Sequence, residues 1–151
     1  KKNFIFLLLI NITIVLIFSF SYLNAKESEY FQKGKVLFEK GDLEKSKNLF
    51  EKDLVFNPKS EKSYLYLAKI FKEKKNEEEE ELNLNSVLLL NPKNDEAIYM
   101  LIVLKIDQSD YQKSKDLIET FELVCKSFCS KSEAINKKFK TLLADNEKNK
   151  N

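Results

Sequence analysis

Apolar residues fall into two regimes along the chain. Phe4 to Leu23 runs without a charge, behind Lys1-Lys2-Asn3. From Glu27 onward the spacing turns helical. Tyr30, Phe31, Gly34, Leu37 and Phe38 recur at three- and four-residue steps, which predicts one buried face over roughly residues 28–40. Gly41-Asp42 stops that helix and caps the next, which carries Leu43, Ser46, Leu49, Phe50, Asp53, Leu54 and Phe56 up to Asn57-Pro58. Asn57-Pro58-Lys59-Ser60 then returns thirty-four residues later as Asn91-Pro92-Lys93-Asn94. A period of that length, with a proline closing each helix pair, is the signature of a helical repeat array.

The second unit places Tyr64, Leu67, Ala68, Phe71, Leu84 and Pro92 at equivalent positions. Its second helix is predicted to start after Asn76 with Glu77 to Glu81, carboxylates that suit the positive end of a helix. The third unit keeps Ile98, Leu101, Ile102, Ser114 and Ile118, but Lys105 replaces a large apolar residue and Lys126 stands where the proline belongs. Ala97 to Leu104 is apolar on every side, so this helix must be covered on both faces, by its neighbours or by a partner. Ser109 with Gln112, and Ser130 with Glu133, predict capping boxes. Ile135, Phe139, Leu142 and Leu143 then form the stripe of a final helix that covers the last open face, before a polar tail from Asp145.

Taken together, Tyr30, Gly34, Leu37, Ser46, Phe50 and Pro58, with their counterparts in the second unit, resemble the tetratricopeptide repeat (TPR) family. The resemblance implies an all-α fold: an α-solenoid of about three TPR helix pairs plus a C-terminal capping helix, preceded by an N-terminal hydrophobic helix. Repeats would cover about 27–60, 61–94 and 95–128, with the cap at about 131–144. Small residues such as Gly34 and Ser46 would let paired helices approach closely; Glu80 departs from that pattern. The family's concave groove would be lined by Phe31, Lys35 and Phe38, then Leu65, Lys69 and Lys72, then Tyr99, Val103 and Ile106. Some of these would alternatively pack against each other or the N-terminal helix. An apolar groove rimmed by Lys35, Lys69 and Lys72 suits an amphipathic helix or an extended segment with acidic flanks. The clamp by which chaperone-binding members hold a terminal carboxylate is not expected, because Phe31, Leu65 and Tyr99 take its polar places and the chain has no arginine.

Composition narrows the chemistry. Every basic residue is lysine, and without Lys1 and Lys2 the body balances 24 basic against 24 acidic residues. No basic stripe tracks a phosphate backbone, so no nucleic-acid partner is expected. Histidine is absent, which removes Ser-His and Cys-His nucleophile pairs and any His-bound metal. With two glycines, no phosphate-cradling loop can be built. No catalytic residue, cofactor or metal is predicted. Residues 1–25 read as a secretory signal, with Ala25 before the cut, or as a retained membrane anchor through residues 4–23. Either exports the body, to the periplasm or to the inner-membrane face toward it. In that setting Cys125 and Cys129 are expected to join and pin the last turn in place of the missing proline. Two free buried thiols, or thiol exchange or metal handling by the pair, are the alternatives. The expected function is a protein-binding scaffold or assembly factor at the cell envelope; the alternative is a self-associating subunit, a homo-oligomer.

Overall fold

The computed structural model describes residues 27–148, so the predicted signal or anchor lies outside the described residues. Among these residues the elements are helical: α1 (Glu29–Glu39), α2 (Leu43–Phe56), α3 (Glu61–Glu73), α4 (Glu77–Leu90), α5 (Asp95–Asp107), α6 (Tyr111–Val124), a 3-10 turn (Cys129–Lys131) and α7 (Ser132–Lys148). None is long and apolar enough to cross a membrane. α1–α2, α3–α4 and α5–α6 pair, each pair stacks on the next, and α7 covers α5 and α6. The all-α array of three helix pairs plus a terminal helix is confirmed.

Helix ends follow from local chemistry. Ser28, Asp42, Asn76, Asn94 and Asp110 each accept a hydrogen bond from a backbone N–H three residues on. Such caps contribute about 1 kcal/mol apiece. Within each pair the turn needs one left-handed residue: Gly41 (φ 78°), Lys75 (φ 56°) and Ser109 (φ 59°), spaced by the repeat. Ser109 is therefore the turn residue, and Asp110 is the cap, which corrects the predicted Ser109–Gln112 box. Ser130 likewise sits in the 3-10 turn, and α7 opens at Ser132 instead of on a Ser130–Glu133 box.

Two apolar clusters fill the array. Phe31, Phe50, Leu67 and Ile70 join the first two pairs, and a larger aliphatic cluster, including Leu84, Val87, Ile98, Leu101, Ile102, Ile118, Phe121 and Ile135, joins the rest. A Cβ on Gly34 would lie 2.9 Å from the Phe50 ring, and Ser46 Oγ donates to the Gly34 carbonyl at 2.8 Å. This is the close approach expected of small residues. α5 is buried on both faces by its neighbours. Lys105 is accommodated within it by an ion pair to Glu81 (2.7 Å) and a bond to Gln108 (2.9 Å).

An acid opening each unit grips the chain about one repeat later. Glu61 accepts from Asn91 (3.0 Å) and Asn94 (2.5 Å). Asp95 accepts from the N–H groups of Lys126, Ser127 and Phe128 at 2.7, 2.6 and 3.0 Å. Glu27 pairs with Lys62. Burial opposes ionisation of Asp95, but the three N–H donors outweigh it and hold its carboxyl below the usual range.

Candidate functional site: the concave wall

The first helices of the three pairs line the inner side of the array. There a cleft of about 270 Å³ is bounded by Phe38 from α1, Lys69, Lys72 and Glu73 from α3, Glu96, Tyr99 and Met100 from α5, and Phe128 from the loop before α7. Behind Phe38 lies an aromatic cluster. Tyr66 receives Phe38 edge-on at 5.2 Å and Phe31 at 5.6 Å, and stacks on Phe50 at 5.0 Å. Burial, and then Glu39, Glu96 and Glu27, push the Tyr66 hydroxyl above its ordinary pKa, so it stays a neutral donor. At the far side Tyr99 meets Phe128 at 5.8 Å.

The charges differ in their freedom. Lys69 Nζ lies 2.8 Å from Glu96 and 4.8 Å from the Tyr66 ring centroid, so its charge is already engaged. Lys72 is exposed and is in no ion pair among the described residues. Phe128 owes its place to two restraints: Asp95, which grips the backbone at 126–128, and the Cys125–Cys129 disulfide, whose Cα atoms are 5.3 Å apart.

Of the nine residues assigned to the groove by pattern, Phe38, Lys69, Lys72 and Tyr99 converge on this cleft. Phe31, Leu65 and Ile106 are buried at 3, 8 and 3% exposure and support the wall from beneath. This corrects their placement on its surface. The reason is Tyr66, whose ring meets Phe31 edge-on, and the packing of Leu65 and Ile106 into the larger aliphatic cluster. Lys35 lies 3.9 Å from Glu39, and it and Val103 stand outside the cleft. Glu73, Glu96, Met100 and Phe128 were not anticipated. The signal for Phe128 was present, since the two cysteines bracket it.

Two other hollows flank the first pair. One of about 530 Å³ includes Ser28, Asp53, Phe56, Ser60 and Lys62. Asp53 is buried there, but Ser28, Asn57 (2.8 Å) and Ser63 (2.5 Å) already donate to its carboxylate. Those bonds overcome the burial that would raise its pKa and hold it below the usual range. Its lone pairs are spent on structure. The other, about 440 Å³, is apolar and lies on the outer face of α1–α2, lined by Val36, Leu37 and Leu49 between Gln32 and Lys33. No group of three or more His, Cys, Asp or Glu side chains among the described residues converges as a metal site. The concave wall offers shape, aromatic surface and, beside the exposed Glu73, a lysine, Lys72, that is in no ion pair among the described residues, which is equipment for holding a chain segment.

No protein-family model matches the sequence, and no curated protein matches it. Solved structures do. The first TPR of Spaghetti (RPAP3), bound to the HSP90 peptide SRMEEVD, matches at 14% identity and a TM-score of 0.69, over 81% of this chain and 98% of that one. The Sgt2 TPR domain from Aspergillus fumigatus matches at 15% and 0.62, over 84% and 83%. A chain of the CopN–Scc3 complex matches at 13% and 0.63, over 81% and 72%. At this identity the likeness establishes the TPR fold.

Proposed function

We propose that the concave wall holds an extended, acidic segment of another protein, and that the protein is a non-catalytic scaffold or assembly factor. The carrying observation is the cleft between Phe38, Tyr99 and Phe128, with Lys72, in no ion pair among the described residues, at its rim. An apolar side chain fits between the rings, and a neighbouring carboxylate meets the lysine. The peptide held by the Spaghetti neighbour, SRMEEVD, is of that acidic kind. The uncharged apolar stretch Phe4–Leu23 supports an envelope setting, with the chain held on a bilayer by that stretch.

Cross-linking in native membranes followed by purification of the full chain tests this reading. Lys72→Glu combined with Tyr99→Ser is expected to lower partner capture at least about tenfold, while circular dichroism stays unchanged. Undiminished capture by the folded double variant overturns it. A second reading, self-association, has its own observation: the apolar hollow at Val36, Leu37 and Leu49. Sedimentation of the full chain separates the two, because Val36→Lys dissolves a dimer built there and leaves capture intact.

A further inference from the structure

Val55, Leu89 and Leu123 stand one repeat apart and are 76, 84 and 86% exposed, more than any other large apolar residue described. They occupy the last turns of α2, α4 and α6. These are the second helices of successive pairs, so their ends emerge along one edge of the array, where α1, α3 and α5 begin. Packing inside the array does not require them, since each points away from the buried face of its helix. Just beyond each comes a lysine: Lys59, Lys93 and Lys126, all exposed and in no ion pair among the described residues. Most acids at this edge hold a partner. Glu61 holds Asn91 and Asn94, Asp95 holds the 126–128 backbone, Glu27 pairs with Lys62, Glu29 with Lys33, and Glu96 with Lys69. Glu122 accepts only from Asn136, and Glu133, in the first turn of α7, is exposed and in no ion pair among the described residues. Glu61 and Asp95 take neutral donors and keep their charge, so the edge is mixed in sign. What repeats along it is an exposed lysine just beyond each apolar residue of the row.

The chain enters at this same edge. Glu27 is fixed there by Lys62, and Ser28 donates to Asp53 at the end of α2. Only three residues, four chain steps, separate Leu23, the last of the uncharged stretch, from Glu27. They reach at most about 14 Å. We infer that this edge docks on an anionic bilayer surface, with Val55, Leu89 and Leu123 in the interfacial layer and Lys59, Lys93 and Lys126 on lipid phosphates. The inference rests on the bilayer attachment proposed above, whose short tether delivers this edge and no other. Each lysine multiplies the docked over the undocked population about fivefold.

The chain has no tryptophan, so an introduced one reports alone. Leu89→Trp places it in the row. Leu82→Trp places it on the same face of α4, at a residue 59% exposed but about 10 Å farther from the edge. Each full-length variant is reconstituted into vesicles of equal parts brominated phosphatidylcholine and phosphatidylglycerol. The expected result is flotation of both variants with the vesicles, strong quenching of Leu89→Trp, and little quenching of Leu82→Trp. Lys59→Glu, Lys93→Glu and Lys126→Glu together, or vesicles of brominated phosphatidylcholine alone, should restore most of the emission. Flotation with neither reporter quenched overturns the docking and spares the attachment. Quenching of both overturns the edge-on geometry, and quenching that ignores lipid charge overturns the role of the lysines. If neither variant floats, attachment and docking fall together.

Discussion

The first unit and the two that follow reach one geometry with different residues. In unit one the close helix contact is Gly34 with Ser46, the left-handed turn is Gly41, and Pro58 ends the pair. In unit two the corresponding residues are Ala68, Glu80, Lys75 and Pro92; in unit three they are Ile102, Ser114, Ser109 and Lys126. Every substitution away from the first pattern is a place where the backbone is kept and the chemistry compensates. The lesson is that the array is specified by which positions are buried, and only loosely by what fills them.

Glu80 puts that lesson under the greatest load. It is 5% exposed at the site where Ser46 and Ser114 are fully buried. Burial pushes its pKa up to about 7, with Glu77 and Asp107 adding to the rise and Lys72 opposing it. The folded state therefore binds this proton more tightly than the unfolded chain. Below about pH 4.5 both states are protonated and the site costs nothing. Between there and about pH 7 only the unfolded chain ionises readily, so stability falls as pH rises, and above pH 7 the cost is constant. Urea denaturation should show Glu80→Gln stabilised by up to about 3 kcal/mol at pH 8, the gap closing toward pH 4. A gap independent of pH would mean that the carboxyl sits in water, and unit two would cease to be the strained member.

These differences mark where the sequence was legible. The period, the pairings and the buried face of each helix could be read because burial repeats Tyr30, Gly34 and Phe50 at fixed intervals. Caps were legible where one residue serves, as at Asp42 and Asn76, and were misplaced at Ser109, because a serine looks the same in a cap and in a left-handed turn. The groove was half legible. Spacing identifies the inner face of α1, α3 and α5, but it does not show that Tyr66 meets Phe31 edge-on or that Phe128 closes the far wall. Those depend on contacts between residues many positions apart. Asp95, which sets Phe128 in place, reads in sequence as an ordinary first-turn acid.

The next test concerns the end of unit three, where Lys126 replaces proline. There the Asp95 grip and the Cys125–Cys129 bond share the task. In the chain-entropy account, closing so short a loop contributes about 2 kcal/mol. Cys125→Ser with Cys129→Ser should lower stability by about that much and raise amide exchange at 126–128, with exchange in α1–α3 unchanged. Lys126→Pro should fail to restore it, since the proline removes an N–H that Asp95 accepts. Rescue by proline would show that the two ends are interchangeable after all.

The smallest effect is also the cleanest comparison, because the three left-handed turn residues differ in little but the side chain. A residue with a Cβ held at φ near +60° costs about 1 kcal/mol or more relative to glycine. Glycine in turn loosens the unfolded chain by about 0.4–1 kcal/mol, which offsets part of the gain. Ser109 and Lys75 are exposed, so neither substitution disturbs packing. Ser109→Gly and Lys75→Gly should each stabilise by about 0.5 kcal/mol, and Gly41→Ser should destabilise by a similar amount, all read from denaturation midpoints at constant slope. The same sign at all three positions would mean that the turns are not equivalent, and the shared geometry of the units would then stop at their helices.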